Sequence, residues 1–155
     1  MKKFLIVVSI LVGLFLLWWV GSAGYYSWKT WRIQKKTNDF QNALSQPYRE
    51  DTYGGKTPEE TWAMFLEALK NKDAELAGKY FVVEKQEEWK KIIEDTIKDG
   101  KIESIIQNSS VLRHDHSNDS TAYYFRNVEK GGKSVSSPVN FILNPYTKVW
   151  KIYVL

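Results

Sequence analysis

The sequence predicts an α+β protein with an N-terminal transmembrane helix, followed by about three helices packed on a curved antiparallel sheet of about four strands. Three observations support this: an uncharged apolar run after Lys3, helical periodicities in the middle of the chain, and period-two alternation beyond them. The 155 residues suffice for one domain of usual size. Because the chain has no cysteine, disulfides, thiolate metal sites and cysteine nucleophiles are excluded.

Residues 4–23 carry no charge and are long enough for a helix to cross a bilayer. We therefore expect residues 1–28 to form a membrane anchor, with the lipid bilayer as partner through residues 4–23. A cleaved signal peptide is the alternative, since small residues follow the apolar run, but the run exceeds the usual signal core. The expected interfacial aromatic residues are Trp18, Trp19, Tyr25, Tyr26, Trp28 and Trp31.

The net charge of +4 is unevenly distributed. Residues 57–155 hold 14 basic and 15 acidic side chains, so the basic excess lies beside the apolar run. A nucleic-acid-binding domain would concentrate positive charge on its folded part, so nucleic acid is not an expected partner. Lys2 and Lys3 favour a cytoplasmic N-terminus and an extracytoplasmic C-terminal domain. The opposite orientation stays open, because basic residues also follow the run.

Residues 29–56 are expected to form a juxtamembrane stalk and linker. Pro47 should end any helix that continues from the anchor, because proline disrupts helix interiors. The alternative to a stalk is a helix lying on the membrane surface or pairing with a partner. Residues 47–56 combine proline, two glycines and charges, which is typical of a linker. The folded domain is therefore predicted to span residues 57–155.

Three helices are predicted at the start of this domain. Thr57 and Glu60 form a capping box ahead of an apolar helical face. Asp73 is a favourable N-cap for a short second helix. The third helix covers about residues 85–99 and ends at Gly100, a residue type common just beyond helix ends.

After Gly100 the pattern changes from helical spacing to alternation, which is typical of strands. Turns are expected at Gly131-Gly132 and Asn144-Pro145, so that the strands form an antiparallel meander. Helices followed by strands predict a layer of helices on one face of a curved sheet. The predicted strands cover residues 101–113, 120–129, 134–143 and 147–155.

Three short stretches carry a resemblance to a known family: Thr57-Pro58-Glu59, residues 68–74 (ALKNKDA), and residues 147–152 (TKVWKI). Together they resemble small anchored bacterial domains of unknown function in the nuclear transport factor two-like superfamily, whose cone fold is shared with SnoaL-type enzymes and ketosteroid isomerase. The resemblance implies a cone-type domain over residues 57–155, with helices closing the wide mouth of a bent sheet around a pocket. It implies no single activity, because function depends on the site rather than the fold.

Candidate catalytic and metal-binding side chains are few. His114 and His116 lie two residues apart, so both rings could share one strand face, with Asp119 completing a site for a divalent ion. A polar hairpin turn is the simpler interpretation of this segment. Glu103, which alternates with isoleucines, and His114 are the weak candidates for a catalytic base. Neither a bound metal nor a cofactor is expected.

The sequence thus favours a non-catalytic, extracytoplasmic domain at the cell membrane that binds a partner protein or a small ligand at the cell envelope. Two alternatives stay open: a subunit of a membrane protein complex, and a SnoaL-type enzyme that uses the cone pocket on a small molecule. An acid or a histidine inside the pocket, rather than on its rim, would favour the enzyme.

Overall fold

The computed structural model describes residues 2–109, 111–130 and 133–155, with side chains described except at residues 2–5, 7–9, 20, 22–25 and 130. Contacts divide the chain into two compact units, Met1–Ser45 and Gln46–Leu155. The folded domain was predicted to begin at Thr57, whereas the second unit begins earlier, at Gln46.

Helix α1 runs Lys2–Glu50 and contributes residues to both units. Pro47 lies inside this helix, so the prediction that it ends the helix is wrong. Proline removes its own backbone donor, but its carbonyl still accepts from the Asp51 amide at 3.1 Å, which continues the helical pattern past the ring.

Among the described residues, no helix combines the length and the apolar character needed to cross a membrane. This finding corrects the prediction of a transmembrane anchor over residues 1–28. It likewise corrects the expected single-pass localisation in the cell membrane.

The three predicted helices of the second unit are present as α2 (Pro58–Lys70), α3 (Ala74–Lys79) and α4 (Gln86–Lys98). The Thr57 hydroxyl accepts from the Glu60 amide at 3.1 Å, and the Asp73 carboxylate accepts from the Leu76 amide at 2.8 Å. Both predicted N-caps are thereby confirmed. Gly100 follows α4 with a φ of 68°, the left-handed conformation that glycine adopts readily at a helix end.

A fourth helix occupies part of the segment predicted as the first strand. Helix α5 spans Ile102–Asn108, and the strand begins only at Leu112. The prediction of a strand over residues 101–113 is therefore wrong in its first half. Ile102, Ile105 and Ile106 also recur at helical spacing, and short apolar runs are compatible with either period. Contacts with α2 and the sheet bury Ile102, and this packing favours the helix over a strand.

The sheet has four antiparallel strands in the order β1-β2-β3-β4, which confirms the predicted meander. The turn at Asn144-Pro145 lies between β3 and β4 as expected, whereas the predicted Gly131-Gly132 turn lies outside the described residues. The strands are β1 (Leu112–Ser117), β2 (Thr121–Lys130), β3 (Lys133–Leu143) and β4 (Trp150–Val154).

One face of the sheet packs against the helices and forms the core. Tyr124 of β2 pairs with Val139 of β3, and Phe141 of β3 pairs with Ile152 of β4. All four side chains are buried. Phe65 of α2 belongs to the same core cluster, so helix and sheet share one apolar interior.

The outer edge of β4 is covered by the segment that follows α3. Phe81 forms a parallel bridge with Ile152. The Val82 amide donates to the Ile152 carbonyl at 3.0 Å, and the Ile152 amide donates to the Tyr80 carbonyl at 2.9 Å. These bonds satisfy backbone groups that an edge strand would otherwise leave unpaired.

The segment expected to be a linker is packed into the second unit. Asp51 and Gly55 are buried, and the Gly55 carbonyl accepts from the Trp150 amide at 2.9 Å. Gly54 has a φ of 144°, and a Cβ placed there would lie 2.3 Å from the Trp150 carbonyl oxygen. The glycines in this segment therefore permit close backbone approach to β4 rather than flexibility.

Candidate functional site

A cavity of about 250 Å³ lies between the helices and the inner face of the sheet, and we call it the helix–sheet cavity. Side chains from α2, α4, α5 and β2 line it, and most of them are apolar. Apolar walls with few polar groups are usual for sites that bind small molecules. The lining residues that matter for its chemistry are Phe65, Ile93, Thr96, Ile105, Arg126 and Glu129.

The local sequence explains how these side chains converge. On α4 apolar residues recur at helical spacing, and Thr96 lies on the same face. On β2 alternate residues point toward the helices, and this places Ala122, Tyr124, Arg126 and Val128 on one face. The first two of these are buried in the core, whereas the last two line the cavity.

Arg126 carries the positive charge of the cavity. Its Nη1 donates to the Ser109 hydroxyl at 2.7 Å, and its Nε is buried without a hydrogen-bond partner. Ser109 is itself fully buried, and its carbonyl accepts from the Trp62 indole at 3.0 Å, so the anchor of the guanidinium is fixed by the core. Burial lowers the pKa of Arg126 below its ordinary value. Within the described part of the chain, Arg126 has no ion-pair partner.

Three further polar side chains of the cavity, those of Thr96, Ser104 and Glu129, are either exposed or bonded to their own helix. Glu129 lines the cavity, but its side chain is exposed. The Thr96 hydroxyl donates to the Ile92 carbonyl at 2.7 Å, and the Ser104 hydroxyl donates to the Lys101 carbonyl at 2.8 Å. Among these polar residues, Arg126 therefore differs in carrying a positive charge that has no ion-pair partner in the described part of the chain.

A second cavity, of about 350 Å³, lies between the end of α1, the segment after α3 and the turn after β3, and we call it the end groove. Its walls include Val82, Val83 and Pro145, and several of its polar side chains already have hydrogen-bond partners. The Tyr48 hydroxyl donates to the Glu84 carboxylate.

Beside these walls, the end groove also contains a buried ion pair. Lys151 donates to the Asp51 carboxylate at 2.8 Å, to the Tyr53 carbonyl at 2.8 Å and to the Lys79 carbonyl at 2.5 Å. All three ammonium protons thus have acceptors. A ligand in the end groove would find no free polar partner in Lys151, in contrast to Arg126 in the helix–sheet cavity.

The two histidines proposed as metal ligands lie on opposite faces of the sheet. A bulge in β1 falls between His114, which pairs with Tyr124, and His116, which pairs with Tyr123. The His114 ring packs edge-on against Tyr124 at 5.0 Å, whereas the His116 ring stacks on Tyr123 at 4.3 Å. Residues two apart share a strand face only where the pleat is regular. The inserted Asp115 interrupts the pleat, so that His114 and His116 point to opposite faces.

Asp119 lies in the turn after β1, next to Asn118, whose side chain accepts from the Thr121 amide at 2.8 Å. This is the local backbone bonding that the interpretation as a hairpin turn predicts. Among the residues that the structure describes, no three metal-ligating side chains are grouped closely enough to hold an ion.

Glu103 lies on α5 rather than on a strand. Its carboxylate is exposed and lies 3.2 Å from the Lys72 ammonium. Backbone hydrogen bonding and then Lys72 hold the pKa of Glu103 below its ordinary value. A catalytic base near neutral pH needs a raised pKa, so this environment is that of a surface carboxylate.

His114 takes part in a small polar cluster that the sequence did not indicate. The Tyr124 hydroxyl donates to the Glu59 carboxylate, and the His114 ring packs against the same tyrosine. Burial raises the pKa of Glu59, but the hydrogen bonds from Tyr124, its own backbone and Thr57 outweigh this and hold the pKa below its ordinary value. Burial, and then Glu59, raise the pKa of Tyr124. The cluster thus holds an ionised carboxylate against a neutral phenol.

The aromatic residues expected at a membrane interface lie on α1. Trp18, Trp19, Tyr26, Trp28 and Trp31 are exposed, and the side chain of Tyr25 lies outside the described residues. Two of the tryptophans contact cations one turn further along the helix. Arg32 lies 4.1 Å from the centre of the Trp28 ring, and Lys35 lies 5.4 Å from that of Trp31.

The residue that gives the helix–sheet cavity its charge was not predicted from the sequence. Alternation along β2 placed Arg126 on one of two possible faces, but only the packing of the helices shows which face is inside. Comparison of this chain with protein-family models, curated proteins and solved structures found no match. The functional conclusion therefore depends on the geometry of the cavity.

Proposed function

We propose that the unit Gln46–Leu155 is a non-catalytic binding domain that holds a small, mainly apolar molecule in the helix–sheet cavity. The observation that carries this proposal is the cavity of about 250 Å³ with apolar walls. With about 30 Å³ for each water-sized group, this volume suits a ligand of roughly ten non-hydrogen atoms. The remaining lining groups support binding over catalysis, because the exposed Glu129 is the only carboxylate side chain among the lining residues.

We also propose that this unit belongs to the nuclear transport factor two-like superfamily. The supporting features are the capped helix at Thr57, the short helix that follows Asp73, and a four-stranded meander that ends with Trp150-Lys151-Ile152. This likeness concerns the fold, and the ligand is argued from the cavity alone.

Titration of the full chain with octan-1-ol, followed by the NMR shifts of backbone amides, tests the proposed binding. Octan-1-ol is an uncharged molecule of suitable size. We expect saturable shifts in α4, α5 and β2, with a dissociation constant in the millimolar to micromolar range that small apolar ligands reach.

The matched variants are Thr96→Phe and Thr96→Val. Thr96 is half-buried, and its hydroxyl bonds only to its own helix, so neither change removes a contact between elements. The phenyl group should fill the cavity and abolish the shifts, whereas valine should preserve them. Absence of saturable shifts in the unmodified chain, or equal binding by both variants, would contradict the proposal.

A further inference from the structure

We infer that the ligand of the helix–sheet cavity is a small amphipathic carboxylate, with its apolar part against the cavity walls and its carboxylate on the Arg126 guanidinium. This inference rests on the proposed function, because it names the chemical class of the molecule that the same cavity holds. Three features of the cavity support it: an incompletely bonded cation, a fixed guanidinium, and a lack of further positive charge.

The first feature is the bonding state of Arg126. A buried charge is unfavourable unless it is paired and hydrogen-bonded. Arg126 has the Ser109 hydroxyl as acceptor, but its buried Nε has none, and no carboxylate of the described residues neutralises the group. A ligand carboxylate would supply the missing negative charge.

The second feature is geometry. The guanidinium is planar, and two neighbouring N–H groups on one edge match the two oxygens of a carboxylate. Because Nη1 is held by Ser109, which is fixed by Trp62, the side chain is oriented before any ligand arrives. A carboxylate in the cavity would therefore meet a guanidinium that is already held in one orientation.

The third feature distinguishes a carboxylate from a phosphate ester. A phosphate monoester carries nearly two negative charges at neutral pH. Arg126 is the only basic side chain among the described residues that line the cavity, and the Glu129 carboxylate lies on the same lining. With one positive and one negative side chain, the lining favours a head group with one negative charge over a head group with two.

The size of the apolar part follows from the walls. Phe65, Ile93 and Ile105 line the cavity together with further apolar side chains of α2, α4 and α5. The volume suits about ten non-hydrogen atoms in total, as in a medium-chain fatty acid or a simple aryl carboxylate. Octanoate has this size and differs from octan-1-ol only in its head group.

The experiment compares octanoate with octan-1-ol on the full chain by NMR titration at neutral pH. We expect octanoate to bind at least about tenfold more tightly, the ratio that corresponds to about 1.4 kcal/mol. In Arg126→Met the preference should be lost or reversed, and Arg126→Lys should retain part of it, because lysine keeps the charge without the bidentate edge. Lys98→Met, which removes an exposed positive charge that does not line the cavity, is the control and should bind octanoate as tightly as the unmodified chain.

A second measurement does not depend on the folding of the Arg126 variants. The Nε–H signal of Arg126 should shift when octanoate binds, because the carboxylate pairs with the guanidinium, and should stay in place with octan-1-ol. If octan-1-ol binds while octanoate binds no more tightly and the Nε–H signal does not move, the carboxylate inference is overturned and the proposed function stands. If neither compound gives saturable shifts, the proposed function fails as well.

Discussion

The Lys151 ammonium lies 2.7 Å from the Asp51 carboxylate, and only 3% and 6% of the two side chains are exposed. The pair joins the segment after α1 to the last strand, across 100 residues of sequence. Gln86 donates to the same carboxylate at 2.9 Å, so the anion is bonded on more than one side. Burial lowers the pKa of Lys151 below its ordinary value, although the bond and the charge of Asp51 act in the opposite direction.

Breaking this pair from one side is expected to destabilise the fold by about 3–5 kcal/mol, because it leaves an uncompensated buried charge. Lys151→Met is the direct test, by urea denaturation followed by circular dichroism. The double variant Asp51→Leu with Lys151→Met should recover much of the loss, since no buried charge remains. Lys98→Met, at an exposed pair, serves as the control with little change. A loss in Lys151→Met no larger than in this control would contradict the prediction.

The bond from Tyr124 to Glu59 predicts a pH range of maximal stabilisation. The pKa of Glu59 is lowered from its ordinary 4.5, so its contribution is lost as the pH falls through the folded-state value. The pKa of Tyr124 is raised from its ordinary 10.0. The contribution of Tyr124 to folding stability is therefore lost as the pH rises above 10.0 toward the higher pKa of the folded state. The stability difference between the unmodified chain and Tyr124→Phe should therefore be largest between about pH 5 and pH 9.

Thermal unfolding measured across this pH range tests the prediction. Tyr123→Phe is the matched control, because it makes the same change at the neighbouring tyrosine. Among the described residues, the ring of Tyr123 stacks on His116. The effect of Tyr123→Phe on stability should be the same across this pH range. A pH-independent effect of Tyr124→Phe would show that the bond to Glu59 contributes nothing.

Tyr48 is expected to lose its proton at a higher pH than an ordinary tyrosine. The hydrogen bond to Glu84, then burial and the charge of the same carboxylate, raise the pKa of Tyr48 to about 12. In an alkaline titration followed by near-ultraviolet absorbance, Tyr48→Phe should remove a step near this value. Glu84→Gln should move that step toward the ordinary 10.0. If Tyr48→Phe removes a step near the ordinary value instead, the bond does not persist in solution.

Two glycines with positive φ are expected to differ in their tolerance of alanine. At Gly100 the added Cβ meets no atom within 4 Å. Gly100→Ala should therefore lower the free energy of unfolding by about 1 kcal/mol, the energy needed to hold alanine in the left-handed conformation. At Gly54 the Cβ would also lie 2.3 Å from the Trp150 carbonyl oxygen, so Gly54→Ala should cost clearly more. Thermal unfolding of the two variants measures the difference. Equal losses would mean that the close approach to β4 is absent.

Local signals in the sequence predicted much of the fold. The caps at Thr57 and Asp73 were correct because a cap depends on residues within one turn of the helix. The last three strands were correct because alternation and turn residues are also local. The assignment of α5 failed because the isoleucines between residues 102 and 106 satisfy both periods, and only contacts with other elements decide between them.

The chemistry of the cavity needed information that is not local. Ser109 fixes Arg126, and Trp62 fixes Ser109, although 47 residues separate the latter two. In the same way, the bulge at Asp115 is invisible in the residue pattern, and it sends His114 and His116 to opposite faces. Sequence patterns therefore predict the last three strands, but not which of their side chains line the cavity.

The bulge in β1 also affects how the molecule behaves among copies of itself. β1 is a terminal strand of the sheet, and a terminal strand offers backbone donors and acceptors with which another chain can pair. The extra residue at Asp115 breaks the even spacing of these groups, and the neighbouring Arg113 adds an exposed charge. Since Phe81 and Val82 cover the other terminal strand, neither side of the sheet presents a long, regular template. The fold is thereby protected against aggregation by strand addition.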